Sequence, residues 1–176
     1  AGSAINHAHA ANSICIGYQA GASITSGQGN LAIGSYALDA NATSDFNVGI
    51  GYKALSGVNG DGTAGNVAIG YKAGEAITSG AENTAVGYQA GLVLTNEGAN
   101  TIMGYEAGKA LTGSGNVMMG VGAGITSVDV NNTVIIGYAA NNAGNMTDAA
   151  SGTVAIGYIA GYGITSGEKN VAVGYE

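Results

Sequence analysis

A short apolar alternation that ends in glycine returns ten times along the chain, most clearly as Asn66-Val67-Ala68-Ile69-Gly70-Tyr71. The copies place glycine at Gly17, Gly34, Gly51, Gly70, Gly87, Gly104, Gly120, Gly137, Gly157 and Gly174, at spacings of 17, 17, 19, 17, 17, 16, 17, 20 and 17 residues. The residue before each glycine is Ile, Val or Met, as in Ile50, Ile69, Met103 and Ile156. Two positions earlier stands a second column, as in Val48, Val67, Thr101 and Val154. Alternate residues of a strand share a face, so both columns point one way. The residues between them point the other way and are small or apolar, as in Cys15, Gly49, Ala68 and Ala85, with Ile102, Met118 and Ile135 larger. None of these thirty positions is charged. A strand that is apolar on both faces is expected to be covered on both.

The second half of each repeat begins three residues after the glycine with an alanine that never fails, from Ala20 and Ala37 through to Ala140 and Ala160. Glycine usually follows it, replaced by Leu38 and Leu55 in the second and third copies, and an aliphatic such as Ile24, Ile77 or Leu94 comes four residues after the alanine. A Thr-Ser-Gly turn closes the unit at Thr25-Ser26-Gly27, Thr78-Ser79-Gly80 and Thr165-Ser166-Gly167. The unit therefore reads as strand, tight turn, shorter strand and wider turn.

A period this short and regular specifies a solenoid. The expected fold is all-β, a parallel β-roll of about ten 17-residue coils, with residues 1–176 forming one repeat domain. Strands stacked about 4.8 Å apart would make a rod on the order of 50 Å long. No helical periodicity, linker or internal boundary interrupts the pattern. Two loops are longer than the repeat requires, 56–65 and 141–152, and extra residues in solenoids collect at an edge where binding is usually found. Asn59, Asp61, Asn145 and Asp148 in these loops are candidate recognition residues.

The tyrosine column adds a second candidate surface. Tyr18, Tyr52, Tyr71, Tyr88, Tyr105, Tyr138, Tyr158 and Tyr175 hold one place in the repeat, and Ser35 shifts the tyrosine of the second copy to Tyr36. Stacked coils turn this column into a ladder, which either offers platforms to sugar rings or packs a turn edge or subunit interface through amphipathic phenols. Of these, Tyr18, Tyr52, Tyr71, Tyr88 and Tyr105 are candidate recognition residues. The column Asn30, Asn47, Asn66, Asn83, Asn100, Asn116 and Asn170 predicts a stacked amide ladder at the turn.

The repeated string, together with Gly152-Thr153-Val154-Ala155-Ile156-Gly157 followed by Ala160, resembles the head repeat of YadA-type trimeric autotransporter adhesins. Repeats with the Gly-Tyr-x-Ala-Gly extension are similar to those of phage tail-fibre-like proteins. The resemblance covers essentially the whole chain. It implies a left-handed roll, a homotrimer and attachment to surfaces, outside the cell or on a virion. The longer repeat and the tyrosine column depart from the adhesin heads, as does the lack of a stalk or membrane anchor, and these departures favour the phage type. The residues lead to oligomers by their own route. If one strand face fills a narrow roll, the other leaves a long apolar stripe that would aggregate if bare. Val67, Ile69, Val48, Ile50, Val154 and Ile156 are thus expected in the core or at an interface between chains.

Charge narrows the partners. Four lysines against eleven acids give a net charge of −7 over 176 residues, with no arginine, which cannot neutralise a phosphate backbone. No apolar run approaches the ~18 residues of a membrane helix. Glycine at 33 residues and the absence of proline suit a ladder in which nearly every strand has two neighbours. The expected partners are copies of the chain and, as the resemblance implies, a host-surface receptor or glycan.

Candidate chemistry is thin, and no cofactor or metal is expected. Cys15, the single cysteine, falls in the small column and reads as a buried, inert thiol. His7 and His9 lack a third ligand and read as a solvated pair. Asn59-Gly60-Asp61-Gly62 is oxygen-rich but lacks the spacing of a calcium loop, and reads as a glycine turn. The glycosylation-like strings at Asn41, Asn131 and Asn145 read as turn composition. A threonine column, Thr25, Thr78, Thr95, Thr112 and Thr165, is too broken for an ice-binding face. With no recurring set of nucleophile, base and orienter, the chain is expected to be no enzyme.

Reading on from Gly174-Tyr175-Glu176 into Ala1-Gly2-Ser3-Ala4-Ile5 completes a repeat, with a glycine spacing of 19 across the junction. Ala1, Gly2, Ile5, Val171 and Val173 are therefore candidate end-to-end contacts. They belong either to a longer fibre or to an extracellular filament subunit that polymerises head to tail by completing half-coils. Residues 1–5 are expected to pair with residues 20–24.

Overall fold

The structure, a computed structural model, describes residues 12–60, 62–142 and 146–176. It is a parallel β-solenoid. Ten three-residue strands, β1 (Ile14–Ile16), β2 (Leu31–Ile33), β3 (Val48–Ile50), β4 (Val67–Ile69), β5 (Thr84–Val86), β6 (Thr101–Met103), β7 (Val117–Met119), β8 (Val134–Ile136), β9 (Val154–Ile156) and β10 (Val171–Val173), form one sheet in chain order. About nine turns of chain connect them. Register follows the repeat without a slip: Val67 pairs Thr84, Ala68 pairs Ala85 and Ile69 pairs Val86.

The small column lines the interior. Ala32, Ala68, Ile102, Met118 and Ile135 are fully buried, as are the turn alanines Ala20, Ala37, Ala54, Ala73, Ala90, Ala107, Ala123 and Ala140. Ile24, Val58, Ile77, Leu94 and Leu111 close the far side of this narrow core. An interior so thin admits little volume per coil, which is why alanine holds its position while the outward columns carry the larger aliphatics.

The turn residue of one coil meets the strand residue of the next in the interior layer, and where one of the two is bulky the other is small. Leu38 and Leu55 replace the turn glycine in the second and third coils, opposite the smallest strand residues, and a Cβ on Gly49 would lie 3.1 Å from Leu38 Cγ. Further along the bulk comes from the strand instead. A Cβ on Gly91 would lie 3.1 Å from Ile102 Cδ1, and one on Gly108 3.0 Å from Met118 Sδ. In these coils the bulk of the layer comes from the turn or from the strand, not from both.

The expected shorter second strand is absent; successive turns take its place. After Gly17, the amides of Ala20, Ala22 and Ile24 donate to the carbonyls of Gly17, Gln19 and Gly21. Gln19 and Gly21, the third residues of the first two turns, have φ of +53° and +57°. That is the positive φ a type II turn needs at this place, and it bends the chain too sharply for a strand. The turns still bond between coils, as Gly21 N–H to Ala37 O (2.9 Å) and Ser23 N–H to Asp39 O (3.1 Å).

Each strand ends at a glycine with φ between +122° and +146°. A Cβ on Gly34 would come within 2.6 Å of the Gly51 carbonyl oxygen in the next coil, so no other residue fits the column. Among the described residues the one helical element, a single 3-10 turn at Asp148–Ala150, lies inside the expanded 141–152 loop. The repeat gave no sign of it because three residues carry no periodicity.

Candidate binding surfaces

Three features run the length of the solenoid: an asparagine ladder, a tyrosine ladder and an aliphatic stripe. Asn30, Asn47, Asn66, Asn83, Asn100 and Asn116 are buried and bonded in a fixed scheme, while Asn170 at the last coil is only half-buried. Asn66 Nδ2 donates to Gly80 O (2.9 Å) and to Asn47 Oδ1 (3.2 Å), while its Oδ1 accepts from the Asn83 amide N–H (2.9 Å) and Asn83 Nδ2 (3.2 Å). Each side chain thereby ties its own turn to the coils on both sides. Thr133 takes the place of asparagine at the eighth coil, its hydroxyl donating to Asn116 Oδ1 at 2.7 Å. The ladder is structural and leaves no free polar group to offer a ligand.

The tyrosines stack as expected from their column. Tyr52, Tyr71, Tyr88 and Tyr105 lie with centroids 5.4, 5.1 and 5.0 Å apart and planes within 14°. Tyr138, Tyr158 and Tyr175 form a second stack at 5.5 and 4.8 Å. Tyr36, displaced by Ser35, meets Tyr18 and Tyr52 edge-on. Inside a stack the ring faces cover one another, so edges and hydroxyls meet solvent. A platform for sugar rings needs bare faces, and these exist only where a stack ends.

Charged side chains flank the first stack. Glu75 bridges Lys72 (3.0 Å) and Lys53 (3.5 Å) across two coils, and Lys109 pairs with Glu106 at 2.7 Å. The hydrogen bond to Glu75 raises the Lys72 pKa above its ordinary value. Asp39 is different. Its Oδ1 is buried without a hydrogen-bond partner, and burial pushes its carboxyl pKa up.

The paired aliphatic columns face outward. Val48, Val67, Val154 and Ile50 are half-buried, while Ile69 and Ile156 are exposed, at 38% and 37%. They are therefore not core, and among the described residues their face is uncovered. Val171 and Val173 on β10 are the barest of the stripe.

Among loop residues, Asn59 is exposed, and its N–H donates to Thr78 O at 3.2 Å. Asp148 is also exposed; its carboxylate accepts from Ser151 Oγ (3.2 Å) and Asn131 Nδ2 (3.4 Å). The two loops lie five coils apart, roughly 24 Å along the axis, and do not form one site. Asn41 is buried, its amide closing a turn with Ser44 in both directions, so turn chemistry accounts for that string. Thr25 and Thr78 spend their hydroxyls on carbonyls of the next coil. Cys15 is half-buried in the small column, and burial raises its thiol pKa, which disfavours the reactive thiolate. Ala1, Gly2, Ile5, His7, His9, Asp61 and Asn145 lie outside the described residues.

Among the described residues no three His, Cys, Asp or Glu side chains gather closely enough to hold a metal, and no helix is long and apolar enough to cross a membrane. No family model matches the sequence, and comparison with curated proteins and with solved structures finds no significant match.

Proposed function

We propose that this chain is a non-enzymatic rod segment of a surface fibre, of the adhesin-head or phage tail-fibre type, that works outside the cell or on a virion. Copies associate through the aliphatic stripe as a homotrimer, and the rod spaces and presents contacts to a receptor or glycan. The stripe is the observation that carries this reading. Ten strands each turn two residues, mostly aliphatic, toward solvent, and a contiguous apolar ribbon of that length marks an interface. Burying each such side chain is worth roughly 1.5–3 kcal/mol. The wall facing the interior is already filled, so the cover for the stripe comes from outside the roll, and a second copy of the chain brings a matching stripe.

The test is the mass of the assembly by sedimentation equilibrium, on the native chain and on Ile69→Asp. The native chain is expected as a trimer. The variant, with an unpaired charge in the dry layer, is expected as a folded monomer by circular dichroism. A monomeric native chain overturns the reading, and an indefinite size distribution replaces the trimer with a filament.

A further inference from the structure

The tyrosine ladder lacks one rung. In the seventh coil Val121 holds the ladder position, in register with Tyr105 and Tyr138 through the bonds Gly122 N–H to Tyr105 O (2.9 Å) and Ala139 N–H to Val121 O (2.9 Å). Tyr105 is held on one face by Tyr88, and Tyr138 on one face by Tyr158, each pair within 8° of parallel. Their other faces look toward each other across two coil steps, roughly 10 Å. The exposures agree. Tyr71 and Tyr88, covered on both faces, are 41% and 40% exposed, whereas Tyr105 and Tyr138 are 51% and 56%. Val121, 46% exposed, forms the floor between them. Beside it Gly122 replaces the long side chains that Lys72, Gln89 and Glu106 carry at this place in their coils, and a Cβ there would meet nothing within 4 Å.

The geometry points to this slot as a binding site for one aromatic side chain presented by a partner protein. The vacancy is one rung thick, since rings elsewhere in the ladder stand 4.8 to 5.5 Å apart. An inserted ring would sit about 5 Å from each neighbour, within the range of stacked aromatic pairs. Entry is from solvent, edge-on over the valine, so the atom linking the ring to its carrier points outward, as the Cβ of an exposed tyrosine or phenylalanine would. A nucleobase would bring phosphates to a chain of net charge −7, which opposes it. The inference rests on the reading of the rod as a surface that presents contacts, and gives that surface one defined point.

The test follows the ring resonances of Tyr105 and Tyr138 by NMR while the full chain is titrated with N-acetyl-tyrosinamide. Methyl glucopyranoside serves as the comparison ligand. The tyrosine analogue is expected to shift those two rings and leave Tyr71 unmoved. Val121→Tyr supplies the missing rung from the chain itself, and is expected to raise the melting temperature and weaken binding by at least about tenfold, the worth of one to two stacking contacts. Val121→Ala keeps the vacancy and is expected to bind like the native chain. The inference is overturned if neither ring responds, if Val121→Tyr binds undiminished, or if only the pyranoside binds. No receptor enters the titration, so a negative result leaves the fibre reading standing, and a monomeric chain in sedimentation leaves the slot standing.

Discussion

At the scale of single residues, the asparagine ladder and Asp39 are opposite cases, polar groups the repeat satisfies and a carboxylate oxygen it leaves without a partner. Asn66 is of the first kind. Asn66→Ala would strand the Gly80 carbonyl and weaken the hold on the Asn83 amide, two buried groups at about 1–3 kcal/mol each, and a fall of that order in unfolding free energy is expected by urea denaturation. Asp39 is of the second kind. Its folded pKa lies above its unfolded one, so its contribution is most favourable below the unfolded carboxylate pKa and is lost as pH rises through the folded value. Asp39→Asn is therefore expected to raise the melting temperature at pH 7, with the gain shrinking as pH falls through the carboxylate range; a gain independent of pH would contradict the assignment. The asparagine ladder was legible in the sequence because its column repeats. Asp39 was not, since a lone acid in a single coil has no column and its burial is set by neighbours.

At the scale of elements, the strands were legible and the other half of the coil was not. Period-two alternation marks Val67 and Ile69 as one face and Ala68 as the other, and the structure follows it. The stretch after each glycine also keeps an alanine and an aliphatic at fixed places, which suggested a second strand. What it lacks is a signal for φ. Lys72, Gln89 and Glu106 adopt φ near +55° without being glycine, a conformation that costs roughly 1–2 kcal/mol per residue and that only the surrounding inter-coil bonds enforce. The trade of volume across the core leads to a further prediction. Ile102→Ala alone is expected to cost about 2–5 kcal/mol, as large-to-small core changes do. Combined with Gly91→Leu, which mimics Leu55 at a closely similar φ, part of that cost should return, seen as a favourable coupling in a double-mutant cycle by thermal denaturation. Simple additivity of the two changes would show that the layers do not share volume.

At the scale of the whole molecule, each strand touches only the strands before and after it. Stability is then close to a sum over coils and coil-to-coil contacts, with no centre that a single change removes. Solenoid and rod were both readable from the spacing of glycine. The break in the tyrosine ladder was equally visible as Val121, yet its meaning depended on knowing that Tyr105 and Tyr138 each keep one face bare. A column read as letters shows a substitution; read as rings about 5 Å apart, it shows a gap of defined thickness.

The exchange of bulk between turn and strand also bears on how such an array can change its length over generations. Repeats are gained and lost by recombination between similar units, and here the units are similar in outline but not interchangeable. Joining the fourth coil directly to the sixth sets Gly74 beside Ile102, a pairing already present at Gly91. Joining the third to the sixth would set Leu55 against Ile102, two large side chains in a layer with room for one. Heredity could therefore shorten this rod at some seams and not at others, and the permitted seams are written in the sizes of paired interior residues.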